Sequence, residues 1–262
     1  MNKLTQFLIV LAGTSFSIQA MAAPFVVLPN GKRVEGSAIR ALSNGDVNLT
    51  TSSGIQTFPK GTYAKAVADK PAEFDQAVAA MNAKKFDDAI RLFGGIITNL
   101  RGLEWDVAAA RELPKALVGK GDAEEAVKAY DRLFMMSAAE KQNSDALWGY
   151  RKALLAAKQY PALIRQLDAV AASGNRPDAA RAHVMRGDIQ AAQNNLDQAV
   201  LDYLRTVVLF QDVKDPMIQG EAHYKAAQTL EALRDQRAKE IYQRLVKEFG
   251  SSPYAAQAQG KL

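Results

Sequence analysis

The sequence predicts a mainly α-helical fold: a right-handed solenoid of about five helical hairpins that follows a small antiparallel β domain. Two observations carry this prediction. From about Pro71 the spacing of apolar residues changes from a period of two, typical of strands, to a period of 3.6, typical of helices. A frame of contact residues then recurs every 36 to 39 residues, as expected of stacked two-helix repeats. The predicted segments are residues 1–22, 23–65 and 66–262.

Residues 1–22 have the features of a secretory signal peptide. Lys3 provides the positive start, residues 7–18 are uncharged, and Ala20-Met21-Ala22 has the small-x-small pattern that favours cleavage before Ala23. We therefore expect a periplasmic or secreted protein without a membrane span after cleavage. The alternative is an uncleaved anchor helix. The chain contains no Cys, so it offers no cysteine for lipid attachment and no disulfide.

Residues 23–65 show the alternation and turn residues of a meander of about four strands. Val47 and Leu49 alternate with polar residues, so they should share one face. Gly36 indicates a bulge or bend. The glycine pattern resembles the small SH3-like barrels at the start of some bacterial envelope proteins, and the alternative is a pair of hairpins packed on the first helices. The resemblance rests on Gly31, Lys32, Gly36, Gly45 and Gly54, followed by Pro59.

The helical region contains a frame in which residues at i, i+4 and i+7 lie on one helix face. The first residue is small or aliphatic, so a neighbouring helix can approach it, and the second is usually bulky. Prolines fall in phase where helices should start, because a missing N–H costs nothing there. The frames are Ala89-Phe93-Ile96, Ala126-Tyr130-Leu133, Leu163-Leu167-Val170, Ala199-Tyr203-Thr206 and Ala238-Tyr242-Leu245, and the prolines are Pro71, Pro161, Pro177, Pro216 and Pro253.

These hairpins resemble divergent tetratricopeptide repeats (TPRs) over roughly residues 71–250. The second helices match the family well, whereas the first helices match poorly. The family's small eighth position is Ala77, Gly187 and Ala226 in three units, but Pro114 and Arg151 in the other two. The last unit is similar to the ends of repeat arrays in proteins like the Tol–Pal-associated cell-division coordinator, and the helix from Pro253 should cap the array.

Charge and motif content argue against several function classes. Residues 66–262 carry 27 basic and 26 acidic residues, which disfavours a nucleic-acid platform. The two histidines, His183 and His223, have no metal-ligating partner at i+3 or i+4, and no nucleophile or phosphate-binding motif occurs. We therefore expect no catalytic site, metal or cofactor. The expected role is an exported scaffold or adaptor that binds another cell-envelope protein.

The TPR resemblance implies a partner-binding groove lined by the first helices. The implied set is basic and contains one of only two tryptophans, so it would suit an extended peptide or a carboxylate. The alternative is that Trp148 is a core residue and the cations are ordinary solvated side chains. The candidate groove residues are Arg111, Lys115, Trp148, Lys152, Arg181 and His223.

A second candidate function belongs to the β domain. Residues 23–65 hold five basic and two acidic residues, a concentration of charge that would favour peptidoglycan or another polyanion. Separately, Gly94-Gly95 and Pro114 lie inside predicted helices. We expect the glycines to mark close helix packing or a break, and the proline to kink its helix.

Overall fold

The computed structural model describes residues 23–262, so the predicted signal peptide lies outside the described residues. The described chain divides into two compact units. The first contains residues up to Gln76 together with Gly95–Ala108, and the second contains Ala77–Gly94 together with Ala109–Leu262. The first unit carries the strands, and the second carries most of the helical repeats.

Six strands form two three-stranded antiparallel sheets, with the orders β2-β1-β6 and β3-β4-β5. In the first sheet Val26 pairs with Val34 and with Ala66, and in the second Leu49 pairs with Ile39 and Gln56. The strands are β1 Phe25–Val27, β2 Arg33–Glu35, β3 Ala38–Ala41, β4 Val47–Thr51, β5 Gly54–Phe58 and β6 Lys65–Val67.

Val47 and Leu49 share one face of β4, as predicted, because both are fully buried in the core of this unit. The bend at Gly36 is also confirmed, since β2 ends and β3 begins on either side of it. A Cβ at Gly36 would lie 2.7 Å from Cγ of Leu49, so the strand can turn closely over β4 only without a side chain there. The count of about four strands was too low, because this bend splits one strand and β6 had been missed.

Residues 23–262 contain eleven α-helices and one 3₁₀ helix. Consecutive helices from α4 to α11 pack against each other, and α7 also contacts α9. The α-helices are α1 Ala72–Asn82, α2 Phe86–Asn99, α3 Trp105–Lys120, α4 Ala123–Met136, α5 Ser144–Ala156, α6 Tyr160–Ala172, α7 Arg176–Ala192, α8 Leu196–Leu209, α9 Pro216–Ala232, α10 Arg237–Glu248 and α11 Pro253–Gln259, and the 3₁₀ helix is Ala138–Gln142.

The repeat frames are confirmed, because they fall in successive second helices α2, α4, α6, α8 and α10 and face the interior. Fourteen of the fifteen frame residues are buried, and Val170 is half-buried. Tyr130 and Tyr203, the bulky residues of two frames, are 1% and 2% exposed. Burying side chains of this size contributes roughly 1.5–3 kcal/mol each, so the frames supply much of the force that stacks the hairpins.

The turn inside each hairpin repeats the same C-capping geometry. In each turn, the first or second residue after the first helix adopts a left-handed conformation, and the N–H of the next residue donates to a carbonyl five positions back, as in a Schellman motif. Only one of the five left-handed residues is glycine. They are Lys84, Gly121, Lys158, Asn194 and Arg234, with φ of 57°, 100°, 57°, 62° and 59°, and the corresponding bonds are Lys85 to Ala80, Asp122 to Leu117, Gln159 to Leu154, Asn195 to Gln190 and Asp235 to Leu230.

The prediction for Gly94-Gly95 was wrong. Helix α2 runs through both glycines without a break, and a Cβ at either position would meet no atom within 4 Å. Pro114 lies inside helix α3, as expected from the sequence, and the kink expected there stays a prediction. The division between the two units does fall between Gly94 and Gly95. Gly94 and Gly95 therefore mark a change of compact unit along the chain rather than a break in the helix.

The C-terminal helix α11 covers the last hairpin as predicted. Ala258 is fully buried in a cluster with Tyr242 and Leu245 of α10. Ser252 accepts a hydrogen bond from the Tyr254 N–H at 3.3 Å and so caps the start of α11. Within residues 23–262, no helix combines the length and apolar character needed to cross a bilayer.

Candidate ligand groove around Trp148

Trp148 anchors the candidate site from the middle of helix α5. Asn143 caps the start of the helix, and its side chain accepts hydrogen bonds from two first-turn N–H groups. Trp148 is 4% exposed, and its Nε1–H donates to Oδ1 of Asp178 on α7 at 3.1 Å. The indole is therefore locked in one orientation, with its polar atom satisfied inside the protein.

Two cavities share the same wall at Trp148. The first has a volume of about 360 Å³, and Lys115, Lys152 and Arg181 line it together with Trp148. The second has a volume of about 240 Å³. It is also lined by Trp148, Lys152 and Arg181, and it continues to Lys225. We call this pair of cavities the Trp148 groove. Helices α3, α5, α7 and α9, which are all first helices of hairpins, supply the residues named here.

Two cations at the centre of the groove have no carboxylate partner. The Arg181 guanidinium lies 4.4 Å from the centroid of the Trp148 ring, and Lys152 is exposed one turn beyond Trp148. Among the described residues, no acidic group lies within ion-pairing distance of either side chain. Stacking on an indole favours a cation by roughly 0.5–2 kcal/mol and also orients it. The centre of the groove is thus positive and open to an anionic ligand.

The cations at the two ends of the groove are already neutralised. Nζ of Lys115 lies 2.7 Å from Glu112. Nζ of Lys225 lies 2.8 Å from Asp188 and 2.5 Å from Glu221. Burial by itself would lower the pKa of Lys225, but the two carboxylates outweigh burial and raise the pKa, so this lysine stays charged and paired. Free positive charge is therefore confined to Lys152 and Arg181.

Four of the six residues proposed from the sequence line this groove, and two do not. Arg111 forms a two-point ion pair with Glu140, with Nε donating to Oε2 at 2.9 Å, so its charge is committed. His223 is 1% exposed, packs against Phe249, and bonds the Gln219 carbonyl oxygen through Nδ1 at 2.8 Å. The groove assignment of His223 is corrected for this reason: a side chain with no accessible surface cannot contact a partner.

Sequence reasoning also missed residues of the groove. Asp188 occupies the same repeat position as Lys115 and Lys152, each of them eleven residues before the start of its hairpin's frame. That shared position could have revealed Asp188 as a groove residue. Glu221 and Lys225 offered no such signal, because their roles depend on the ion pairs that they form with Asp188 and with each other.

Metal chemistry finds no support in the part of the chain that the structure describes. Residues 23–262 contain no cluster of three or more His, Asp or Glu side chains that could hold a metal ion. His183 lies 3.9 Å from Asp202, but Arg205 bonds the same carboxylate. The Trp148 groove presents cations and an indole wall rather than a set of metal ligands.

Comparison with known proteins supports the repeat class in the last hairpin. Residues 221–252 match the family described as tetratricopeptide repeat, and this segment covers most of α9 and all of α10. No curated protein sequence matches the chain. The stacked hairpins with their recurring frame, together with this match, define the chain as a TPR-like helical protein, a class that suggests protein–protein interaction.

Several solved structures of repeat proteins resemble the chain at low identity. MamA from Desulfovibrio magneticus RS-1 is 18% identical, with a TM-score of 0.45, over 69% of this chain and 95% of that chain. A MamA double mutant is 19% identical, with a TM-score of 0.45, over 68% of this chain and 93% of that chain. YrrB, described as a TPR protein with an unusual peptide-binding site, is 17% identical, with a TM-score of 0.40, over 72% of this chain and 91% of that chain.

Proposed function

We propose that this protein is an exported, non-catalytic adaptor that binds a polypeptide segment of another cell-envelope protein in the Trp148 groove. The observation that carries the proposal is the pair of unpartnered cations, Lys152 and Arg181, beside the buried Trp148 ring. The partner segment presents a carboxylate at this centre, as an acidic side chain or a chain end, because a guanidinium pairs well with that group.

The dimensions and chemistry of the groove support a peptide rather than a compact metabolite. The two cavities together extend across residues from α3 to α9, and each combines apolar surface with a few charged groups. Such a surface suits an extended chain, in which side chains fill pockets and a charge fixes the register. Lys115 and Lys225 already have carboxylate partners, so they position the edges of the groove without adding free charge.

The proposed location follows from the N-terminal sequence. Lys3, the uncharged segment 7–18 and Ala20-Met21-Ala22 have the pattern of a cleaved secretory signal. We further propose that the last hairpin resembles those of repeat proteins such as the Tol–Pal-associated cell-division coordinator, and this resemblance favours a partner in the same compartment. Radiolabelled precursor processing and N-terminal sequencing of the exported protein test this part, with a mature N-terminus at Ala23 as the expected result.

The groove is tested by photo-crosslinking in envelope extracts, followed by affinity measurement with the captured segment. A photoreactive residue at Lys152 should crosslink one polypeptide, whereas one at the exposed Lys239 of α10 should not. The double variant Lys152→Met/Arg181→Met should then bind the captured segment at least about tenfold more weakly, as expected when two charge-assisted contacts are lost. The matched control Lys239→Met should bind normally, and equal affinity of the two variants would contradict the proposal.

The β unit is a second candidate site, for peptidoglycan or another polyanion. Arg33 pairs with Glu35 and Lys65 with Glu104, each at 3.0 Å. Among the described residues, the side-chain charges of Lys32, Arg40 and Lys60 form no ion pair, although the Lys60 backbone N–H donates to Asp46. The chain passes from β2 of one sheet to β3 of the other across the Gly36 bend, and this close succession of two small antiparallel sheets is what supports the proposed resemblance to an SH3-like barrel. Cosedimentation of the mature chain with purified peptidoglycan tests this candidate. The triple variant Lys32→Gln/Arg40→Gln/Lys60→Gln should no longer cosediment.

A further inference from the structure

Arg151 is a buried arginine that the Trp148 groove does not use. It is 8% exposed, and its Nε makes no hydrogen bond. Among the described residues, no carboxylate lies within ion-pairing distance of its guanidinium. The guanidinium stacks on the Trp148 ring, 4.6 Å from the ring centroid, and the charge of Asp178 favours it from beyond ion-pairing distance. A buried arginine normally has its donors paired, so an unpaired one calls for an explanation.

The repeat makes this position stand out. Arg151 lies twelve residues before the frame start Leu163, and in three other hairpins the same position holds the small residues Ala77, Gly187 and Ala226. Each of these three is buried. An arginine in place of a small buried residue costs packing and desolvation energy, so the fold alone does not require it. A cation at this place is expected to have a ligand.

Arg151 opens into a third cavity, separate from the Trp148 groove. The cavity has a volume of about 400 Å³ and contains Arg151 but none of Lys115, Lys152 or Arg181. Its polar lining includes Gln142, Ser144 and Gln166, and Leu147, Ala169 and Val170 give it an apolar wall.

The positive charge of Arg151 in this cavity is not balanced by a paired carboxylate among the described residues. Asp178 also lines it, but Oδ1 of Asp178 accepts the Trp148 Nε1–H and no oxygen of Asp178 reaches ion-pairing distance of Arg151. Burial lowers the pKa of Arg151, Asp178 raises it, and the nearby Arg181 lowers it further. The net lowering means that the positive charge of Arg151 is under-compensated when the cavity holds no ligand.

We infer that Arg151 and the cavity between α5, α6 and α7 form a second ligand site, which takes a carboxylate. The planar guanidinium would bind two carboxylate oxygens, and the amide and hydroxyl groups of Gln142, Ser144 and Gln166 would donate to the remaining lone pairs. The apolar wall suits the methylene groups of an acidic side chain. This site is distinct from the proposed peptide groove, although the Trp148 ring contributes to both.

An NMR titration of the mature protein tests the site directly. The Arg151 Nε–Hε signal is followed during addition of N-acetyl-aspartate amide, N-acetyl-glycine and inorganic phosphate, each up to about 50 mM. A saturable shift with a carboxylate probe supports the site. The stronger response of the first or second probe identifies a side chain or a chain end as the source. The absence of a saturable shift with both carboxylates, or tighter binding of phosphate, would overturn the inference.

Two variants separate this site from the peptide groove. Lys152→Met should leave the Arg151 titration unchanged, because Lys152 does not line this cavity. Arg151→Met should abolish the carboxylate-induced shifts of neighbouring amides, and it should keep or raise the melting temperature of the ligand-free protein, because it removes an unpaired buried charge. A lower melting temperature, with carboxylate shifts intact, would assign Arg151 to packing alone. Failure of the peptide proposal would leave all these results unaffected.

Discussion

A Cβ atom at Gly187 would lie 2.6 Å from Cδ1 of Tyr203, inside the fourth hairpin. Gly187 on α7 and Tyr203 on α8 are both buried, and the Tyr203 hydroxyl donates to Asp188 at 2.8 Å. The ring is therefore fixed at both its face and its polar end. The small residue of the first helix and the bulky residue of the second act as one packing unit.

Gly187→Ala should destabilise the protein. The new methyl group would push the Tyr203 ring against a filled core, and overpacking of this kind costs about 1–3 kcal/mol. Urea unfolding followed by circular dichroism measures the effect. Gly95→Ala is the matched control, because a Cβ there meets no atom within 4 Å; it should stabilise α2 by up to about 1 kcal/mol. Equal effects of the two substitutions would refute the close-packing argument.

Replacing the left-handed lysines of the hairpin turns by glycine should stabilise the chain. Lys84 and Lys158 are exposed and hold φ at 57°, a conformation that costs a residue with a side chain about 1–2 kcal/mol. Glycine removes this cost but gains entropy in the unfolded state, which leaves a net benefit of about 0.5 kcal/mol per site. Thermal unfolding of the double variant Lys84→Gly/Lys158→Gly tests this prediction, and its melting temperature should be higher than that of the parent protein.

Two control substitutions separate the left-handed strain from other effects of glycine. Lys158→Ala keeps the left-handed strain and should give no stabilisation. Asn194→Gly, at φ 62°, should gain less than Lys158→Gly because asparagine adopts this conformation readily. A larger gain from Asn194→Gly would contradict the strain argument.

Breaking the Arg111–Glu140 pair should cost stability rather than binding. The Glu140 side chain is 5% exposed and that of Arg111 is 35% exposed, so Arg111→Met leaves a buried carboxylate unpaired. Since Arg111 is partly solvated, we expect a loss of about 1–3 kcal/mol, below that of a fully buried pair. Chemical denaturation measures it. Adding Glu140→Gln to Arg111→Met should restore part of the lost stability. If the stability loss of the double variant equalled the sum of the losses of the two single variants, direct coupling of the two side chains would be contradicted.

His223 should make stability depend on pH below neutrality. Burial lowers the pKa of His223, while the Gln219 carbonyl raises it, Arg244 lowers it and Glu248 raises it, with a net lowering. Below the ordinary histidine pKa of about 6.5, the unfolded chain therefore binds a proton that the folded chain resists. Stability from this residue is present above pH 6.5 and is lost as the pH falls.

The comparison of His223→Gln with the parent protein isolates this effect. Melting temperatures of both proteins are measured between about pH 5 and 8. The difference between the two curves should change with pH below 6.5 and be flat above it, because only the parent carries the titrating ring. Parallel curves throughout would show that His223 does not contribute to the pH dependence.

Much of the helical fold could be predicted because its signals are local. The frame starting at Ala199 and the in-phase Pro216 each reflect contacts within one or two turns of helix, and the structure confirms both. The strand β6 was missed because Lys65–Val67 is too short for an alternating pattern and is defined by its pairing with β1. The prediction of close packing or a break at Gly94-Gly95 failed because helix propensity is a weak determinant that tertiary packing overrides.

By itself, the sequence determined the hairpin repeat, its turns and the basic character of the first helices, because periodicity and capping act between residues close along the chain. Only the tertiary structure decided which cations remain without partners. Lys225 is neutralised by Asp188, 37 positions away, and Arg111 by Glu140, 29 positions away, whereas Lys152, Arg181 and Arg151 have no ion-pair partner within residues 23–262. Ion pairing depends on distance through space between stacked hairpins, and no local pattern encodes that distance.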